Sequence, residues 1–241
     1  MDTRSHYEQH LAAHYTWIYG GFDRQRGNNE EFFSLRGITP RGTGVAIDLG
    51  AGPGFQSVPL ADAGFRVTAV DFSPTLLEEI RIRAGTRSIE IVNADMMDFT
   101  AYAGKSPELI VCMGDTLTHL TSMDHVRALI ANCHSELVDA GLLILGFRDL
   151  TVELVGSERF IPVRSEKERI FVCVLDYHRS HVTVNDLVYE YDGSAWRQSV
   201  SSYEKLRIPP DTVRDCMVRA GFTIDEYTVT QGIVMVKGTK N

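Results

Sequence analysis

Three glycines at alternate positions follow a short apolar run in the stretch AIDLGAGPGF, residues 46–55. Gly50, Gly52 and Gly54 can adopt positive φ angles and let the backbone come close to a ligand. The pattern is typical of the first strand-to-helix turn of an open α/β sheet, where ligands bind at the carboxyl ends of the strands. An acid, Asp48, stands two residues before the first glycine. The ligand of this turn must therefore be one that favours a nearby carboxylate.

The side chains around the turn argue against a ligand that carries phosphates. A dinucleotide fingerprint would place glycine or alanine where the chain has Phe55, and a phosphate loop would end in Gly-Lys-Ser/Thr. The carboxylate of Asp48 would repel a pyrophosphate, whereas it would attract a cationic group. S-adenosylmethionine carries an ammonium and a sulfonium and has no phosphates. It is therefore the expected cofactor, and a nicotinamide-dependent dehydrogenase is disfavoured.

Further polar residues stand at the ends of successive predicted strands. Asp71 ends the second strand, where a carboxylate accepts hydrogen bonds from ribose hydroxyls. Asp95 ends the third strand, placed to accept from an adenine amino group, and Met113-Gly114 follows the fourth, where a methyl group would be presented. A single aspartate at a strand end is often a turn former or a helix cap. Their repetition at successive strand ends predicts one ligand-binding edge.

The elements that must position these residues alternate strands and helices from about residue 44, which is typical of βαβ units and a parallel sheet. The predicted strands span 45–47, 65–70, 89–92, 109–112 and 142–147, with helices at 57–63 and 75–83 and after a capping box at 121–124. Residues 151–206 then contain short β-type runs, at 170–175, 182–184, 187–191 and 196–203, with no helix between them. A helix at 210–220 and final strands near 223–229 and 232–238 complete the chain. The pattern predicts an α/β fold with an antiparallel β insertion after the fifth strand.

Composition excludes several classes of function. The chain has 241 residues, of which 44% are hydrophobic, enough for an α/β domain with an insertion. A net charge of −8 without a basic run disfavours nucleic acid as a partner. Four widely spaced cysteines form no CxxC pair, which argues against a zinc site or a disulfide framework. No apolar signal core or membrane-length run is present, so we expect no membrane association and a cytoplasmic location.

Four motifs together resemble the seven-stranded class I S-adenosylmethionine-dependent methyltransferases. They are DLGAGPG at 48–54, VDFS at 70–73, NADM at 93–96 and CMGDTLTHL at 112–120. The last motif, with HYTWIYGGFD at 14–23, is similar to the branch that contains the glycine and sarcosine N-methyltransferases and related small-molecule enzymes. The resemblance implies a doubly wound, mostly parallel seven-stranded sheet with helices on both faces.

The resemblance also implies which residues contact the cofactor. Asp48 with the turn Gly50-Ala51-Gly52 would hold the methionine end, Asp71 with Phe72 the ribose, Asp95 with Met96 the adenine, and Met113-Gly114 would lie beside the sulfur. An amino-terminal helix would cover the cofactor and place Tyr15 and Trp17 near it. The implied domains are a lid at 1–34, a cofactor-binding core at 35–150 and 207–241, and the insertion at 151–206. The insertion would shape the acceptor site and is also a candidate homodimer surface.

Two residues outside the cofactor motifs are candidates for catalysis. His119 follows the fourth strand and could serve as a general base, or it could cap and pack at the entrance of the next helix. Arg148 follows the fifth strand and could bind an acceptor carboxylate, or it could pair with Asp149 or a glutamate. The chain lacks the Asp…Asp-Asn set that holds magnesium in catechol-type enzymes, so no metal is expected.

The predicted function is methyl transfer from S-adenosylmethionine to a small-molecule acceptor by in-line displacement. An amine nitrogen is favoured as the acceptor atom, because an uncharged amine needs neither a metal nor a strong base. Two alternatives stay open: an O-methyltransferase for small molecules, and a non-catalytic module that binds the cofactor only as a ligand.

Overall fold

The computed structural model describes residues 3–241, and Met1 and Asp2, which belong to the predicted lid at 1–34, lie outside the described residues. The strands are Val45–Leu49 (β1), Arg66–Asp71 (β2), Ile89–Asn93 (β3), Leu109–Cys112 (β4), Leu142–Arg148 (β5), Phe160–Ser165 (β6), Arg169–Tyr177 (β7), His181–Tyr191 (β8), Trp196–Leu206 (β9), Phe222–Thr230 (β10) and Ile233–Lys240 (β11). The α-helices are Thr3–His6 (α1), Ala12–Ile18 (α2), Phe22–Leu35 (α3), Ser57–Asp62 (α4), Pro74–Ala84 (α5), Met123–Glu136 (α6) and Pro210–Ala220 (α7).

Seven strands form one core sheet in the order β10-β11-β5-β4-β1-β2-β3. The strands β1 to β5 pair in parallel, and β11 joins β5 antiparallel with β10 beyond it. All of β4 and nearly all of β1 and β5 are buried, as expected for strands covered on both faces. The predicted fold class is confirmed. The strand order reverses between β1 and β4, which makes the carboxyl ends of these strands the expected ligand crevice.

Local sequence signals fix the helices that flank the crevice. Ser73 caps α5, since its hydroxyl accepts a hydrogen bond from the Leu76 amide at 3.3 Å and Pro74 occupies the first helical position. Ser122 caps α6 in the same way through the amide of His125. These caps set where the loops after β2 and β4 end, and they therefore help to position the residues in those loops.

The insertion folds as a second, antiparallel sheet in the order β6-β7-β8-β9. Two predicted runs, at 182–184 and 187–191, are parts of the single strand β8. The polar pair Asn185-Asp186 interrupts the apolar pattern, but Asp186 points inward and is only 2% exposed. The sequence pattern also missed β6, an edge strand that contains Pro162 and has no fully buried residue.

The N-terminal helical segment, residues 3–18, consists of α1, a π-helical turn at Tyr7–Leu11 and α2. Gly20 and Gly21, with φ of +91° and +96°, then reverse the chain into α3. The segment packs against residues of α5 and of the second sheet in one apolar cluster. Across residues 3–241, every helix falls short of the length or the hydropathy that a membrane span requires.

Candidate active site

The glycine turn after β1 adopts the backbone conformation that its sequence predicts. Gly50, Gly52 and Gly54 have φ of +72°, +53° and +93°. A Cβ on Gly50 would overlap Thr116, approaching its Cβ within 2.9 Å. The first glycine is therefore needed because the turn is packed tightly against the loop after β4. The amide of Gly52 donates to Asp71 Oδ2 at 2.8 Å, which joins the ends of β1 and β2.

Asp48 lies beneath this turn and is only 1% exposed. Its Oδ2 accepts a hydrogen bond from the Ser57 hydroxyl at 2.6 Å, while its Oδ1 is buried without a hydrogen-bond partner. Burial raises the pKa of Asp48 to about 7 despite the bond from Ser57. A cationic group at the turn would favour the ionised form of this carboxyl.

Asp71 ends β2 as a second buried carboxyl beside the same turn. Besides the Gly52 amide, it accepts from the Ser73 amide at 2.8 Å through Oδ1. Burial raises the pKa of Asp71 to about 6, because its effect is larger than the opposite effect of the backbone hydrogen bonds. Phe72 follows, with its ring in edge contact with Tyr7 at 5.5 Å between centroids.

The ends of β3 and β4 lie along the same edge of the core sheet. Asp95 is exposed and accepts from the Met97 amide at 2.9 Å. Met96 is half-buried, and its carbonyl accepts from the Tyr102 hydroxyl at 2.6 Å. Beyond β4, the side chain of Met113 packs on the core, and Gly114 turns the chain with φ of +73°.

The N-terminal helical segment closes over this edge through polar contacts with α5. Glu8 accepts hydrogen bonds from the hydroxyls of Ser73 and Thr75. Thr16, about two turns further along the segment, donates to Glu79 at 2.6 Å. Tyr15 lies over the glycine turn, where a Cβ on Gly52 would be 3.7 Å from its ring. The segment thus covers the carboxyl ends of β1 and β2.

A cavity of about 410 Å³ lies between the N-terminal helical segment, the ends of β4 and β5, and the inner face of the second sheet. Such a volume is in the range of small-molecule sites. Five of its lining residues are aromatic: Tyr7, Tyr15, Tyr19, Phe171 and Tyr203. The charged groups in its wall are Asp115, Arg148, Asp186 and Lys205. The cavity therefore combines apolar walls with a few convergent charges.

Lys205 and Asp115 form an ion pair in the cavity wall, with side chains 11% and 15% exposed. Burial alone would raise the pKa of Asp115, but the Lys205 ammonium holds that pKa below its ordinary value. Arg148 also faces the cavity, and its backbone amide donates to Asp115 Oδ1 at 3.2 Å. Arg148 is exposed, and its charge contributes to the low pKa of Asp115, but no carboxylate within residues 3–241 forms an ion pair with its guanidinium. Asp149, one of its expected partners, accepts from Thr151.

His119 lies behind this cavity instead of in its wall. Its Nε2 is hydrogen-bonded to Tyr7 Oη at 3.0 Å, and its ring is stacked against Tyr203 at 5.6 Å. Burial, with a smaller effect of Lys205, lowers the pKa of His119 to about 3. The imidazole is therefore uncharged near neutral pH.

The structure separates the two aromatic residues that were expected near the cofactor. Tyr15 faces the glycine turn, whereas Trp17 packs against the second sheet, with the Arg169 guanidinium 4.4 Å from its ring centroid. Sequence analysis missed Tyr7, Asp186 and Lys205 as cavity residues. The alternation of side chains along β8 and β9 could have predicted that Asp186 and Lys205 point inward.

The cofactor expected from the motifs fits the residues around the glycine turn. Two buried carboxyls, Asp48 and Asp71, have raised pKa values, and one oxygen of Asp48 lacks a hydrogen-bond partner. Buried carboxyls whose pKa values are raised are complementary to a ligand that supplies an ammonium and hydroxyl donors.

Comparison with known proteins agrees with this arrangement. Residues 46–141 match a family model described as a methyltransferase domain. A glycine/sarcosine N-methyltransferase of Aphanothece halophytica is 28% identical over 200 residues, which cover 82% of this chain and 73% of the relative. Matches to three further N-methyltransferases of this kind cover 23% to 59% of their lengths.

Solved structures show the same fold at lower identity. The CcbJ methyltransferase of Streptomyces caelestis is 16% identical, with a TM-score of 0.78 over 98% of both chains. The SAM-bound CalS10 of Micromonospora echinaspora, an amino pentose methyltransferase, is also 16% identical, with a TM-score of 0.74 over 93% of this chain and 94% of that one. Residues 46–141 thus match a methyltransferase domain, and the chain has the fold of solved S-adenosylmethionine-dependent methyltransferases.

Proposed function

We propose that this methyltransferase acts on the amine nitrogen of a small molecule that also carries a carboxylate. The observation that carries the proposal is the cavity of about 410 Å³, into which Arg148 faces without an ion-pair partner among residues 3–241. An unpaired guanidinium in the wall of a partly apolar cavity is complementary to a carboxylate, which it binds with charge-assisted hydrogen bonds.

The cofactor is assigned to the neighbouring edge of the core sheet. In this assignment Asp48 and the turn Gly50-Ala51-Gly52 bind the methionine end, and Asp71 with Phe72 binds the ribose. The half-buried Met96 and the exposed Asp95 bind the adenine, and Met113-Gly114 lies beside the sulfur. Tyr15 covers the glycine turn, which supports its place against the cofactor. Trp17 makes its contacts with the second sheet, and we assign it to the packing of the lid.

When bound, the cofactor supplies a methyl group that its sulfonium already activates. The residues of the chain then have three tasks: to hold the nitrogen in line, to orient the acceptor and to exclude water. Arg148 orients the acceptor through its carboxylate. Tyr7, Tyr15 and Tyr19 provide the wall that excludes water on the side of the lid.

The state of His119 supports nitrogen over oxygen as the acceptor atom. A hydroxyl acceptor needs a positioned base, and a histidine with a pKa of about 3 is a weak base. An uncharged amine has its lone pair available once its proton is lost to solvent. The Aphanothece relative is named an N-methyltransferase, which agrees with a nitrogen acceptor.

The test is an acceptor panel of amino acids, simple amines, phenols and carboxylic acids, read by release of S-adenosylhomocysteine. We expect turnover of amines, with amino acids preferred over amines of the same size that lack a carboxylate. Turnover of phenols or carboxylic acids alone would instead establish an O-methyltransferase. Equal kcat/KM for an amino acid and its decarboxylated amine would support a nitrogen acceptor but show that the acceptor carboxylate is not recognised.

A further inference from the structure

Asp186 is a buried carboxylate in the wall of the acceptor cavity that the reaction scheme above does not use. It is 2% exposed and lies on the inner face of β8. Its Oδ1 accepts from Cys173 Sγ at 3.0 Å. Its Oδ2 lies 3.2 Å from His6 Nε2, but the two atoms lack hydrogen-bond geometry, so Oδ2 has no hydrogen-bond partner.

The surroundings of Asp186 suit a cationic group better than a neutral one. Tyr203, Tyr7 and Phe171 line the same cavity. A carboxylate in a cavity lined by aromatic side chains is a favourable site for an ammonium, because the ion pair forms next to apolar groups that exclude water. Asp186 lines the cavity whereas His6 does not, so the cavity is the side from which a ligand would contact this carboxylate.

The charges of the cavity wall leave Asp186 and Arg148 for the ligand. The other two groups, Asp115 and Lys205, neutralise each other as an ion pair. Within residues 3–241, the Arg148 guanidinium has no ion-pair partner, and the His6 imidazole is the only such partner of Asp186, without a hydrogen bond to Oδ2. Such a carboxylate and guanidinium are complementary to a dipolar molecule. A carboxylate of the acceptor would bind Arg148, and its ammonium would bind Asp186.

We infer that Asp186 determines specificity by binding the amino group of the acceptor, first as an ammonium. The inference rests on the proposed function, because it names the partner of the nitrogen that is to be methylated. After that nitrogen has lost one proton to solvent, a remaining N–H donates to Asp186. The lone pair then points away from the carboxylate.

The test uses benzylamine and benzyl alcohol, two probes of similar shape that differ in charge and carry no carboxylate for Arg148. Their Kd values are measured by calorimetry at pH 7.5 on the full chain saturated with S-adenosylhomocysteine. We expect the wild type to bind benzylamine at least about 10-fold more tightly and Asp186→Asn to lose this preference. Asp176→Asn, on the neighbouring strand β7 and paired with Arg159, is the matched control and should keep it.

The ratio of the two Kd values separates recognition of charge from a structural role. A variant that only loosened the cavity would weaken both probes equally, whereas loss of the carboxylate removes the ammonium preference. Cys173→Ala, which removes the thiol donor and leaves the carboxylate, should retain the preference. An unchanged preference in Asp186→Asn would overturn the inference. So would a wild type that binds neither probe or both equally, even where the variant does not fold.

The inference about Asp186 and the proposed function can be tested independently of each other. An ammonium preference that depends on Asp186, with no amine methylated in the acceptor panel, would sink the proposed function and leave the recognition site in place. If wild type and Asp186→Asn methylate amines with the same KM, the proposed function stands and the inference about Asp186 is wrong.

Discussion

Tyr7 Oη and His119 Nε2 form a hydrogen bond of 3.0 Å between residues 112 positions apart in the chain. Burial raises the pKa of Tyr7 well above its ordinary value and lowers that of His119 to about 3. The pair is therefore uncharged across the neutral pH range, and it ties the N-terminal helical segment to the loop after β4. A histidine with such a low pKa can hold a neighbouring group in place through a hydrogen bond, but it is a weak base.

The first prediction concerns the pH dependence of the rate. A histidine with an ordinary pKa near 6.5 would change its charge between pH 5 and 8, whereas His119 would not. We expect the ratio of kcat/KM for wild type and His119→Gln, measured with the best amine of the panel, to be constant between pH 5 and 8. A ratio that changes around pH 6.5 would contradict the low pKa of His119.

The second prediction concerns stability without cofactor. The pKa of Asp48 is raised from 3.8 to about 7, so its neutral form stabilises the fold fully below about pH 4 and this stabilisation is lost as the pH rises to about 7. Asp48→Asn lacks this dependence. Its free energy of unfolding relative to wild type should rise by roughly 2–4 kcal/mol between pH 4 and 8. Urea unfolding of both proteins across this pH range measures the difference.

The third prediction concerns cofactor affinity. Asp71 lies at the ribose position of the proposed assignment and is held by the amides of Gly52 and Ser73. Asp71→Ala removes two charge-assisted hydrogen bonds to the ribose, each worth about 1.5–3 kcal/mol, so affinity should fall at least about tenfold. Calorimetry with S-adenosylhomocysteine provides the measurement. Unchanged binding by a folded variant would show that the ribose lies elsewhere.

The fourth prediction separates the acceptor from the cofactor. Arg148→Ala should raise KM for an amino acid acceptor by roughly 10- to 100-fold, the loss of a charge-assisted pair, while the Kd of the cofactor stays nearly constant. The decarboxylated amine should show little change in KM with the same variant. Arg197→Ala, an exposed arginine paired with Asp192, is the control and should behave as wild type. Equal increases in KM for both acceptors would show that Arg148 does not bind the acceptor carboxylate.

The fifth prediction concerns the buried pair of Lys205 and Asp115. Lys205→Met leaves the Asp115 carboxylate in the cavity wall without its ammonium, which should destabilise the fold by about 3–5 kcal/mol. The double variant Lys205→Met/Asp115→Asn should recover much of this loss, because no unpaired charge remains. Thermal or urea unfolding of the two single variants and the double variant forms the cycle. Additive losses would mean that the two groups do not interact.

The parts of the fold that follow from local sequence were predictable. The glycine turn requires positive φ at Gly50, Gly52 and Gly54, and the Ser73-Pro74 pair specifies a helix start. Uninterrupted apolar runs such as β4 have no other stable place than a buried strand. The core sheet and the proposed cofactor-binding edge were therefore predicted from short local patterns, such as the motifs at 48–54, 70–73, 93–96 and 112–120.

The acceptor cavity was harder to predict because its residues come from distant parts of the chain. Asp186 looks like a break between two strands until β8 is seen to run through it with the side chain inward. Tyr7 reaches the cavity only because the N-terminal helical segment docks on α5 through Glu8. No local pattern encodes the docking of this segment, so Tyr7 was missed, and of the four charged groups in the cavity wall only Arg148 was predicted to bind the acceptor.

The N-terminal helical segment borders both the glycine turn and the cavity of about 410 Å³. Tyr15 lies against the glycine turn, and Tyr7, Leu11 and Tyr15 line the acceptor cavity. A single movement of this segment about Gly20 and Gly21 would uncover both binding places together. Departure of the methylated product and exchange of the spent cofactor would then share one opening event, so the frequency of that event, and not the chemical step, would set the ceiling on turnover.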